Sequence, residues 1–449
     1  MQKLKEIYSR WFIIIFIIIS AIYFGLWIYG ILLNQNNPSF GLPVIGPDSP
    51  EYANLSDSIL YKHSFTDPNH ISESFRTPGY PFFTSLIRFL FGHSFFSVTF
   101  IQIILVLIST LLIERMARKI FNKTSSQLAS LIFLGNPMTL ALTMGILSDI
   151  LFVFLYVVFI YLIICRLDQK YWQTILYCGI LCALALYIRP MGVFALPIFL
   201  APIIISNAQR KKMIIAMISI SVITCILIIP WMIRNYKQSG VFGFTSLASY
   251  NLAYYNIPLY LANKNYTSID TEHKKIEKDI GIEINKWRYI NSSKKLNEYS
   301  KNFLIHNLFG YTKYHLITSI AFFFASETEM ANYIYTTALH KDTYKMENAM
   351  QYLTQGKITK FALAIMNPWW KFSERIVLLV LWLSIVYTLW KYRKEKSVWV
   401  FISIIIYLAL LSGPVSNARY RLPSDPLFYI LTSVGLVHFS VRFKVPDSK

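Results

Sequence analysis

The chain has 449 residues, of which 55% are hydrophobic and 15% are charged, and its mean hydropathy is +0.45. This composition excludes an ordinary soluble globular protein and indicates a multi-span membrane protein. The formal net charge of +20 does not indicate a nucleic-acid partner, because the basic residues lie mostly in short clusters between apolar runs, as the positive-inside rule requires.

The first apolar run, residues 11–33, follows a short basic N-terminus. It is too long for a signal peptide, and no small-residue cleavage site ends it. We therefore predict a first transmembrane helix with a cytoplasmic N-terminus. Six more apolar runs predict spans at 94–113, 127–145, 149–165, 172–188, 191–206 and 213–231. Short basic loops between these spans are predicted to be cytoplasmic: 114–123, 166–170 and 207–212.

A long polar stretch, residues 235–372, follows and contains one apolar patch at 316–326. If this patch crossed the membrane, the basic loop 391–396 would lie outside, against the positive-inside rule. We therefore predict an interfacial or re-entrant helix at 316–326. The lysines of the stretch are compatible with an external loop, because the charge rule weakens in loops longer than about 60 residues.

Three further apolar runs, at 373–390, 397–413 and 426–441, complete the predicted topology. The predicted fold class is all-α: a polytopic membrane helical bundle of about ten transmembrane helices, with interfacial helices in its external loops and both termini in the cytoplasm. We divide the chain into an N-terminal membrane module, a long external region and a C-terminal helical part. Their bounds are 1–234, which includes the first external loop at 34–93, then 235–372 and 373–449.

The topology places a set of charged residues on one face of the membrane: Asp48, Glu51, Arg76, Asp149, Arg189, Arg234, Arg419 and Arg421. This is the extracytoplasmic face, which has no nucleotides. An enzyme on this face needs a donor that has already crossed the membrane. A sugar on a polyprenyl phosphate meets this need, because its tail stays in the lipid while basic residues at the boundary bind its phosphate.

Several short motifs occur in a particular order along the chain. After the acid of the first external loop come FRTPGYPFF at 75–83, LSDILF at 147–152, YIRP at 187–190, PWMIRNY at 230–236 and ARYRLPSDP at 418–426. With the topology, these motifs resemble the GT-C glycosyltransferases, and within them the branch of protein O-mannosyltransferases and aminoarabinose transferases. The resemblance extends over residues 1–255 and the last three spans, whereas 256–372 resembles no family that we can name.

The resemblance implies roles for individual residues. Asp48 corresponds to the catalytic carboxylate of the family's first loop, Asp149 to its second-loop acid, and residues 419–421 to its basic segment before the last span. The sequence departs from the eukaryotic O-mannosyltransferases at Ser49, where their motif has an adjacent Asp-Glu pair. This departure argues against simply adopting their acceptor, a Ser or Thr in protein.

These inferences predict an integral-membrane glycosyltransferase that moves a sugar from a polyprenyl phosphate to an acceptor on the outer face of a bacterial plasma membrane. Asp48 would activate the acceptor hydroxyl as a base, and in-line displacement would invert the anomeric centre. The acceptor is left open between a glycolipid, a cell-envelope polymer and a protein. The other polar residues of this face are predicted to bind substrate: Glu51, Arg76, Tyr80, Asp149, Arg189, Arg234, Arg419, Tyr420 and Arg421.

Two other functions share these features. A flippase or transporter for lipid-linked sugars would need charged residues in the middle of its spans, and the first seven predicted spans contain essentially none. A polysaccharide polymerase or ligase would use the same face and the same type of donor. We assign no metal site and interpret His63 and His70 as surface residues, although Asp48 with a histidine could hold a divalent cation.

The charged residues also have purely structural interpretations. Asp48 and Glu51 could form the capping box of a helix that begins after Asp48, and Asp149 could cap the fourth span. Arg189 and Arg234 could anchor helix ends at the membrane interface.

Two of the basic motifs suggest a phosphate site more directly. Arg76, next to Pro78 and Tyr80, forms a short cationic turn near the membrane, which requires an anionic partner. Arg419 and Arg421 would point the same way on an extended segment and would there clamp two free oxygens of a lipid phosphate.

Overall fold

The computed structural model describes residues 8–36, 43–66, 73–190, 192–338, 349–366 and 369–442. The N-terminal part is built from helices with these bounds: α1 Arg10–Asn36, α2 Ser49–Lys62, α3 Gly79–Phe91, α4 Phe96–Ile120, α5 Lys123–Gly135, α6 Pro137–Thr143, α7 Asp149–Arg166, α8 Tyr171–Ile188, α9 Leu196–Leu200 and α10 Arg210–Ser239. Short 3-10 turns at Gly192–Ala195 and Ala201–Ile205 flank α9.

The remainder is also helical, with these bounds: α11 Leu247–Tyr250, α12 Ile257–Asn265, α13 Ile269–Ile280, α14 Ser293–His306, α15 Leu308–Ser319, α16 Ala321–Phe324, α17 Glu327–Ala338, α18 Ala349–Thr354, α19 Ile358–Met366, α20 Trp369–Lys391, α21 Lys396–Ser412, α22 Ala418–Arg421 and α23 Asp425–Arg442. A π-helical turn, Asn251–Asn256, follows α11. Further 3-10 turns lie at Ile284–Lys286, Ile290–Ser292, Gly413–Val415 and Leu422–Ser424. The predicted all-α fold class is confirmed.

Within the described ranges, seven helices are long and apolar enough to cross a membrane: α1, α4, α7, α8, α10, α20 and α21. Each of them corresponds to one of the predicted spans. The chain is therefore an integral membrane protein, as its composition indicates. The predicted count of ten spans is not confirmed, because the other three predicted segments do not meet the same criterion.

Two of those three segments are interrupted by proline. The segment 127–145 is divided between α5 and α6, because Pro137 has no backbone N–H with which to continue α5. Asn136 begins the new helix instead, and its side chain accepts a hydrogen bond from Thr139 N at 2.9 Å. A single helix was the wrong prediction for this segment.

The segment 191–206 is likewise not one helix. Pro197 and Pro202 each stand in the first turn of a short element, α9 and the 3-10 turn that follows it. Proline is tolerated in such first turns, where the missing N–H would have had no helical partner. The third segment, 426–441, does form a helix, the 18-residue α23.

The apolar patch at 316–326 forms parts of two short helices, α15 and α16, which meet at Ile320. Neither belongs to the seven long apolar helices. This agrees with the prediction that the patch is not a span, and its interfacial or re-entrant placement stays a prediction.

One hydrophobic core joins the beginning and the end of the chain. Helix α7 lies at its centre, packed against α4 and α8, with Phe152, Tyr156 and Phe159 fully buried. The last helix, α23, packs against both α5 and α20. The C-terminal helices therefore complete the bundle that the N-terminal helices begin. The predicted division into three parts applies to the sequence and does not separate the folded bundle.

The loops at one end of this bundle approach each other closely. Helix α3 begins at Gly79 against the end of α8, where a side chain at Gly79 would place its Cβ 2.6 Å from the carbonyl oxygen of Tyr187. Only glycine permits this contact. It brings the FRTPGYPFF motif beside the loop that carries Arg189.

Candidate functional site

Asp48 lies directly before α2, but its side chain makes no capping hydrogen bond. Its two carboxylate oxygens instead accept hydrogen bonds from two arginines: Oδ1 from Arg76 Nη2 and Oδ2 from Arg419 Nη1, both at 2.7 Å. The Asp48 side chain remains 24% exposed. The interpretation of Asp48 as only a helix cap is therefore wrong.

Arg76 links Asp48, which precedes α2, to Glu51 in the first turn of that helix. While its Nη2 binds Asp48, its Nε donates to Glu51 Oε2 at 2.7 Å. The predicted capping-box role of Glu51 is wrong, because both of its oxygens face arginines, the second being Arg288 at 3.4 Å. The buried Glu73 fixes the backbone here, since its Oε1 accepts from Arg76 N at 3.1 Å.

Asp149 is fully buried at the first position of α7. The residue before it, Ser148, occupies the cap position, so a capping role for Asp149 is also wrong. Its carboxylate accepts hydrogen bonds from Arg189 Nη1 at 2.6 Å and from Arg419 Nη2 at 2.9 Å. Arg189 is thereby an ion-pair partner of a buried acid, and a membrane-surface anchor was the wrong interpretation.

Arg419 connects the first loop to the buried acid. Its guanidinium reaches Asp48 through Nη1 and Asp149 through Nε and Nη2, so it bridges two carboxylates. Asn417 positions the segment, because its Oδ1 accepts from Arg419 N at 3.0 Å and starts the helical turn α22.

The extended conformation predicted for residues 419–421 is wrong, because α22 is helical. Arg421 consequently points away from Arg419. Its guanidinium is fully buried and pairs with Glu327 and, at 3.1 Å, with Asp425 Oδ1. The geometry does not support a clamp of both arginines on one phosphate. Tyr420, between them, is 36% exposed.

Two of the predicted binding residues make structural contacts: Arg234 holds the first loop, and Tyr80 faces the core. Arg234 Nη1 donates to the carbonyl oxygen of Glu73 at 2.6 Å, and its guanidinium lies 4.5 Å from the Trp231 ring centre. Arg234 is thus a loop anchor, and membrane-surface anchoring was the wrong alternative. Tyr80 is fully buried and donates to Gln102 Oε1 at 2.9 Å, so its hydroxyl faces the core.

Sequence reasoning missed Arg288, which reaches the site from the polar middle region. Its Nη1 lies 3.4 Å from Glu51 and its Nη2 3.7 Å from Glu73, while its guanidinium sits 4.9 Å from the Phe75 ring centre. These contacts are looser than the 2.6–2.7 Å pairs of Arg76 and Arg189, and the side chain is 32% exposed. Arg288 lies in the sequence KWRY, and nothing in that motif signals the site.

We call this group of side chains the acid–arginine cluster: Asp48, Glu51, Glu73, Asp149, Arg76, Arg189, Arg288 and Arg419. Partial burial would raise the pKa of Asp48, but the positive charges of Arg419 and Arg76 outweigh it and hold that pKa well below its usual range. Asp48 is therefore ionised at every physiological pH.

Tyr255, which like Glu73 and Arg288 was missed from the sequence, lies close to the cluster on the π-helical turn Asn251–Asn256. Its side chain is 44% exposed. Burial, the neighbouring Tyr254 and Tyr420, and the charge of Asp48 raise the pKa of Tyr255 to about 12. Single π-helical turns occur frequently at functional sites. Tyr255 and Tyr420 thus offer polar aromatic surfaces beside Asp48.

A divalent cation does not fit this arrangement. Both oxygens of Asp48 already accept from guanidinium groups, and His63 is exposed at the far end of α2. In the described parts of the chain, no three His, Cys, Asp or Glu side chains are grouped as a metal site requires. His70 lies outside the described residues.

Comparison with known proteins gives matches in sequence family and in fold. The family model of dolichyl-phosphate-mannose-protein mannosyltransferases matches residues 75–233, about a third of the chain, which include Arg76, Asp149 and Arg189. A search of curated proteins gives no match.

Among solved structures, an oligosaccharyltransferase of Archaeoglobus fulgidus with a tethered acceptor peptide is similar, with TM-score 0.51 and 13% identity over 97% of this chain and 50% of that one. The oligosaccharyltransferase AglB from Archaeoglobus fulgidus, in complex with an inhibitory peptide and a dolichol-phosphate, has TM-score 0.49 and 12% identity, over 98% and 52%. ArnT from Cupriavidus metallidurans, bound to undecaprenyl phosphate, has TM-score 0.42 and 12% identity, over 95% and 77%. The chain thus spans about half the length of the archaeal enzymes. Its fold is of the GT-C type, as the sequence motifs predict.

Proposed function

We propose that this GT-C-fold protein is a glycosyltransferase that moves a sugar from a polyprenyl phosphate to an acceptor on the extracytoplasmic face of the membrane. One observation carries the proposal. The partly exposed, ionised carboxylate of Asp48 stands at the end of a membrane helix bundle among arginines that could receive a phosphate. The match of residues 75–233 to a family named for dolichyl-phosphate-mannose supports the same donor class.

Asp48 is the catalytic carboxylate in this proposal. The acceptor hydroxyl gives its proton to Asp48 as its oxygen attacks the anomeric carbon, and the bond from that carbon to the phosphate oxygen breaks. The phosphate departs with the bonding electrons on the face opposite the acceptor. Such a single in-line displacement by the acceptor oxygen, with the carboxylate acting only as the base, inverts the anomeric centre.

The two tight ion pairs of Asp48 set a condition on this step. A carboxylate whose pKa is held so low is a weak base, because proton transfer to it is unfavourable. A bound donor phosphate would compete with Asp48 for the guanidinium groups of Arg76 and Arg419 and so raise the basicity of Asp48. The donor therefore binds before the acceptor is activated.

Arg288 is the arginine best able to contact the phosphate first. Arg189 is tied to the fully buried Asp149 at 2.6 Å, whereas Arg288 makes contacts of 3.4 and 3.7 Å and is 32% exposed. A loosely paired, partly exposed guanidinium gives up less when it turns toward an incoming phosphate.

The charges of the protein support this orientation. Helix α7 begins at Asp149, at the end that carries the acid–arginine cluster, and ends at Arg166, about 26 Å away at 1.5 Å per residue. The basic loops predicted to be cytoplasmic lie at the Arg166 end. The positive-inside rule then supports our assignment of the cluster to the extracytoplasmic side.

A transfer assay in membranes tests the proposal. Membranes from cells with and without the protein are incubated with radiolabelled polyprenyl-phosphate sugars, starting with mannose and extending to other hexoses and pentoses. We expect protein-dependent label in a glycolipid, a cell-envelope polymer or a protein fraction, and mass spectrometry then identifies the acceptor. No protein-dependent transfer from any such donor would overturn the proposal.

A further inference from the structure

Three tyrosines lie together at the edge of the acid–arginine cluster. Tyr250 ends α11, and Tyr254 and Tyr255 lie on the π-helical turn Asn251–Asn256. The rings of Tyr250 and Tyr254 are stacked with their centres 4.6 Å apart, and the Tyr255 ring meets them edge to face, at 5.9 and 4.9 Å. Aromatic rings at such distances stabilise one another. The three rings form one aromatic group, which we call the tyrosine wall.

The tyrosine wall is supported by a small core in the middle region of the chain. Tyr254 stacks on the buried His273 with ring centres 4.4 Å apart, and His273 Nε2 donates to the carbonyl oxygen of Tyr254 at 2.7 Å. The fully buried Trp287 packs edge to face against both rings. A surface fixed in this way loses little conformational freedom when it binds a ligand.

The tyrosine wall is also held against the first loop. Tyr250 contacts Phe75 edge to face at 4.9 Å, and Thr245 Oγ1 donates to the carbonyl oxygen of Phe75 at 2.7 Å. The Phe75 ring centre in turn lies 5.1 Å from the guanidinium of Arg76 and 4.9 Å from that of Arg288. The wall and two arginines of the cluster therefore share one neighbour.

Tyr255 is the exposed member of the wall. Its side chain is 44% exposed, whereas Tyr250 and Tyr254 are half-buried. Burial is the main cause that raises the pKa of Tyr255, but the charges of Asp48 and Arg76 also act on it, so this phenol lies beside both partners of that ion pair. An exposed tyrosine on a rigid support offers a large contact area at a low cost in entropy.

We propose that the exposed face of Tyr255 packs against the sugar ring of the polyprenyl-phosphate donor. This inference rests on the proposed function and adds a subsite for the transferred sugar. In that reaction the sugar is joined to the phosphate and is attacked beside Asp48, so its ring must lie next to both Asp48 and Arg76. The acceptor needs to approach only Asp48. The C–H groups on one face of a sugar ring would cover the phenol ring, as in other mostly apolar sites with a few polar groups.

Lipids that differ only in the sugar test this inference without turnover. The purified full-length protein in detergent is titrated with undecaprenyl phosphates that carry mannose, glucose, galactose or arabinose, and bound lipid is measured by native mass spectrometry. Undecaprenyl methyl phosphate is the sugar-free reference, because it has the same chain and the same phosphodiester charge. We expect the wild-type protein to bind at least one sugar-bearing lipid about tenfold more tightly than the reference.

Substitutions of Tyr255 separate its ring from its hydroxyl group. Tyr255→Leu and Tyr255→Gln remove the ring, and each should weaken binding of the sugar-bearing lipid about fivefold, in keeping with the loss of one aromatic contact. Binding of the reference lipid should not change. Tyr255→Phe keeps the ring and should retain most of the preference for the sugar. Tyr61→Leu is the matched control, because Tyr61 is 55% exposed at the end of α2 remote from Asp48.

Gel filtration and thermal unfolding establish that each variant is folded before it is titrated, and two ring-free variants are made in case one does not fold. An unchanged preference for the sugar in a folded ring-free variant would overturn the inference. A wild-type protein that binds no sugar-bearing lipid more tightly than the reference would also overturn it. Equal loss of both lipids would do the same, because Tyr255 would then maintain the shape of the site without contacting the sugar.

The two proposals fail in different ways. If wild-type protein transfers sugar while Tyr255→Leu and Tyr255→Gln keep the wild-type preference, only the sugar subsite is wrong. If the preference depends on Tyr255 but no sugar is transferred from any donor, the proposed function is wrong and the sugar subsite stands.

Discussion

Arg419 donates a hydrogen bond to Asp48 at 2.7 Å, although the two residues are separated by 371 positions in the sequence. The first loop of the chain and the last loop before α23 thus form one site. The same guanidinium also holds the buried Asp149.

Asp48→Asn should abolish sugar transfer while the protein remains folded. The amide keeps the size of the side chain but cannot accept the proton of the acceptor, and loss of a general base costs about 10²–10⁴-fold in rate. Transfer in purified protein measures the effect. Asp57→Asn is the control, since Asp57 pairs with Arg88 on the outer side of α2 and its side chain is 45% exposed. Normal transfer by Asp48→Asn would show that this carboxylate is only a structural partner of its arginines.

Arg288→Ala should raise the apparent KM for the donor at least tenfold and change kcat less. Arg288→Lys should recover much of the loss, because the loose contacts of Arg288 depend on charge more than on forked geometry. Rates against donor concentration separate the two constants. Lys286→Ala, which removes an exposed surface ion pair two residues away, should have no effect. An unchanged donor KM in Arg288→Ala would remove Arg288 from the donor site.

Arg419→Lys should not recover the function of arginine, in contrast to Arg288→Lys. A lysine ammonium is a single point of charge and cannot bridge the carboxylates of Asp48 and Asp149 together. We expect transfer to fall at least 100-fold, with lower thermal stability. Equal kinetics of Arg419→Lys and wild type would mean that bridging is unimportant.

Arg421→Met should destabilise the protein and leave the donor KM of the folded fraction unchanged. Arg421 is fully buried with Asp425 and Glu327, and removing one partner of a buried ion pair costs about 3–5 kcal/mol. Thermal unfolding followed by gel filtration measures the loss. Arg393→Met, which removes an exposed arginine of the predicted cytoplasmic loop, should unfold like wild type. A raised donor KM without loss of stability would restore Arg421 as a phosphate ligand.

If Asp48 controls the acid limb of the kcat/KM–pH profile, that limb should lie below pH 4. Arg419 and Arg76 lower the pKa of Asp48, so its charged form persists as the pH falls. The stabilisation of the folded protein by the ion pairs of Asp48 is complete above the unfolded pKa of about 3.9. It is lost only as the pH falls through the lower pKa of the folded state. Arg76→Gln removes one of the positive charges and should move the acid limb to higher pH. An identical limb in Arg76→Gln would mean that Asp48 does not control it.

The long spans and most of the acid–arginine cluster could be predicted from the sequence, because both appear there as local patterns. Apolar runs of sufficient length gave α4 and α7, and acids or arginines at the ends of such runs gave Asp149 and Arg189. The break at Pro137 was missed because hydropathy continues through it, although the preceding Asn136 is a strong cap signal.

Two other features depend on the conformation of the folded backbone, which local sequence patterns do not reveal. Residues 419 and 421 share a side only in an extended chain, and in the helical turn α22 they lie about 200° apart around the axis. Arg288 lies in a region without a periodic pattern of apolar residues from which its fold could be predicted. Its approach to Glu51 depends on how α11–α14 fold back over the first loop, which is a tertiary property.

The pairing of the first loop with the last also determines when the site can exist. A nascent chain inserts its helices in order, and Asp48 emerges long before Arg419 has been synthesised. Until α22 and α23 are in place, Asp149 has Arg189 as its remaining arginine partner and Asp48 lacks its second. The proposed catalytic centre is thus assembled last, so a chain that terminates early or inserts incompletely carries Asp48 paired with Arg76 alone.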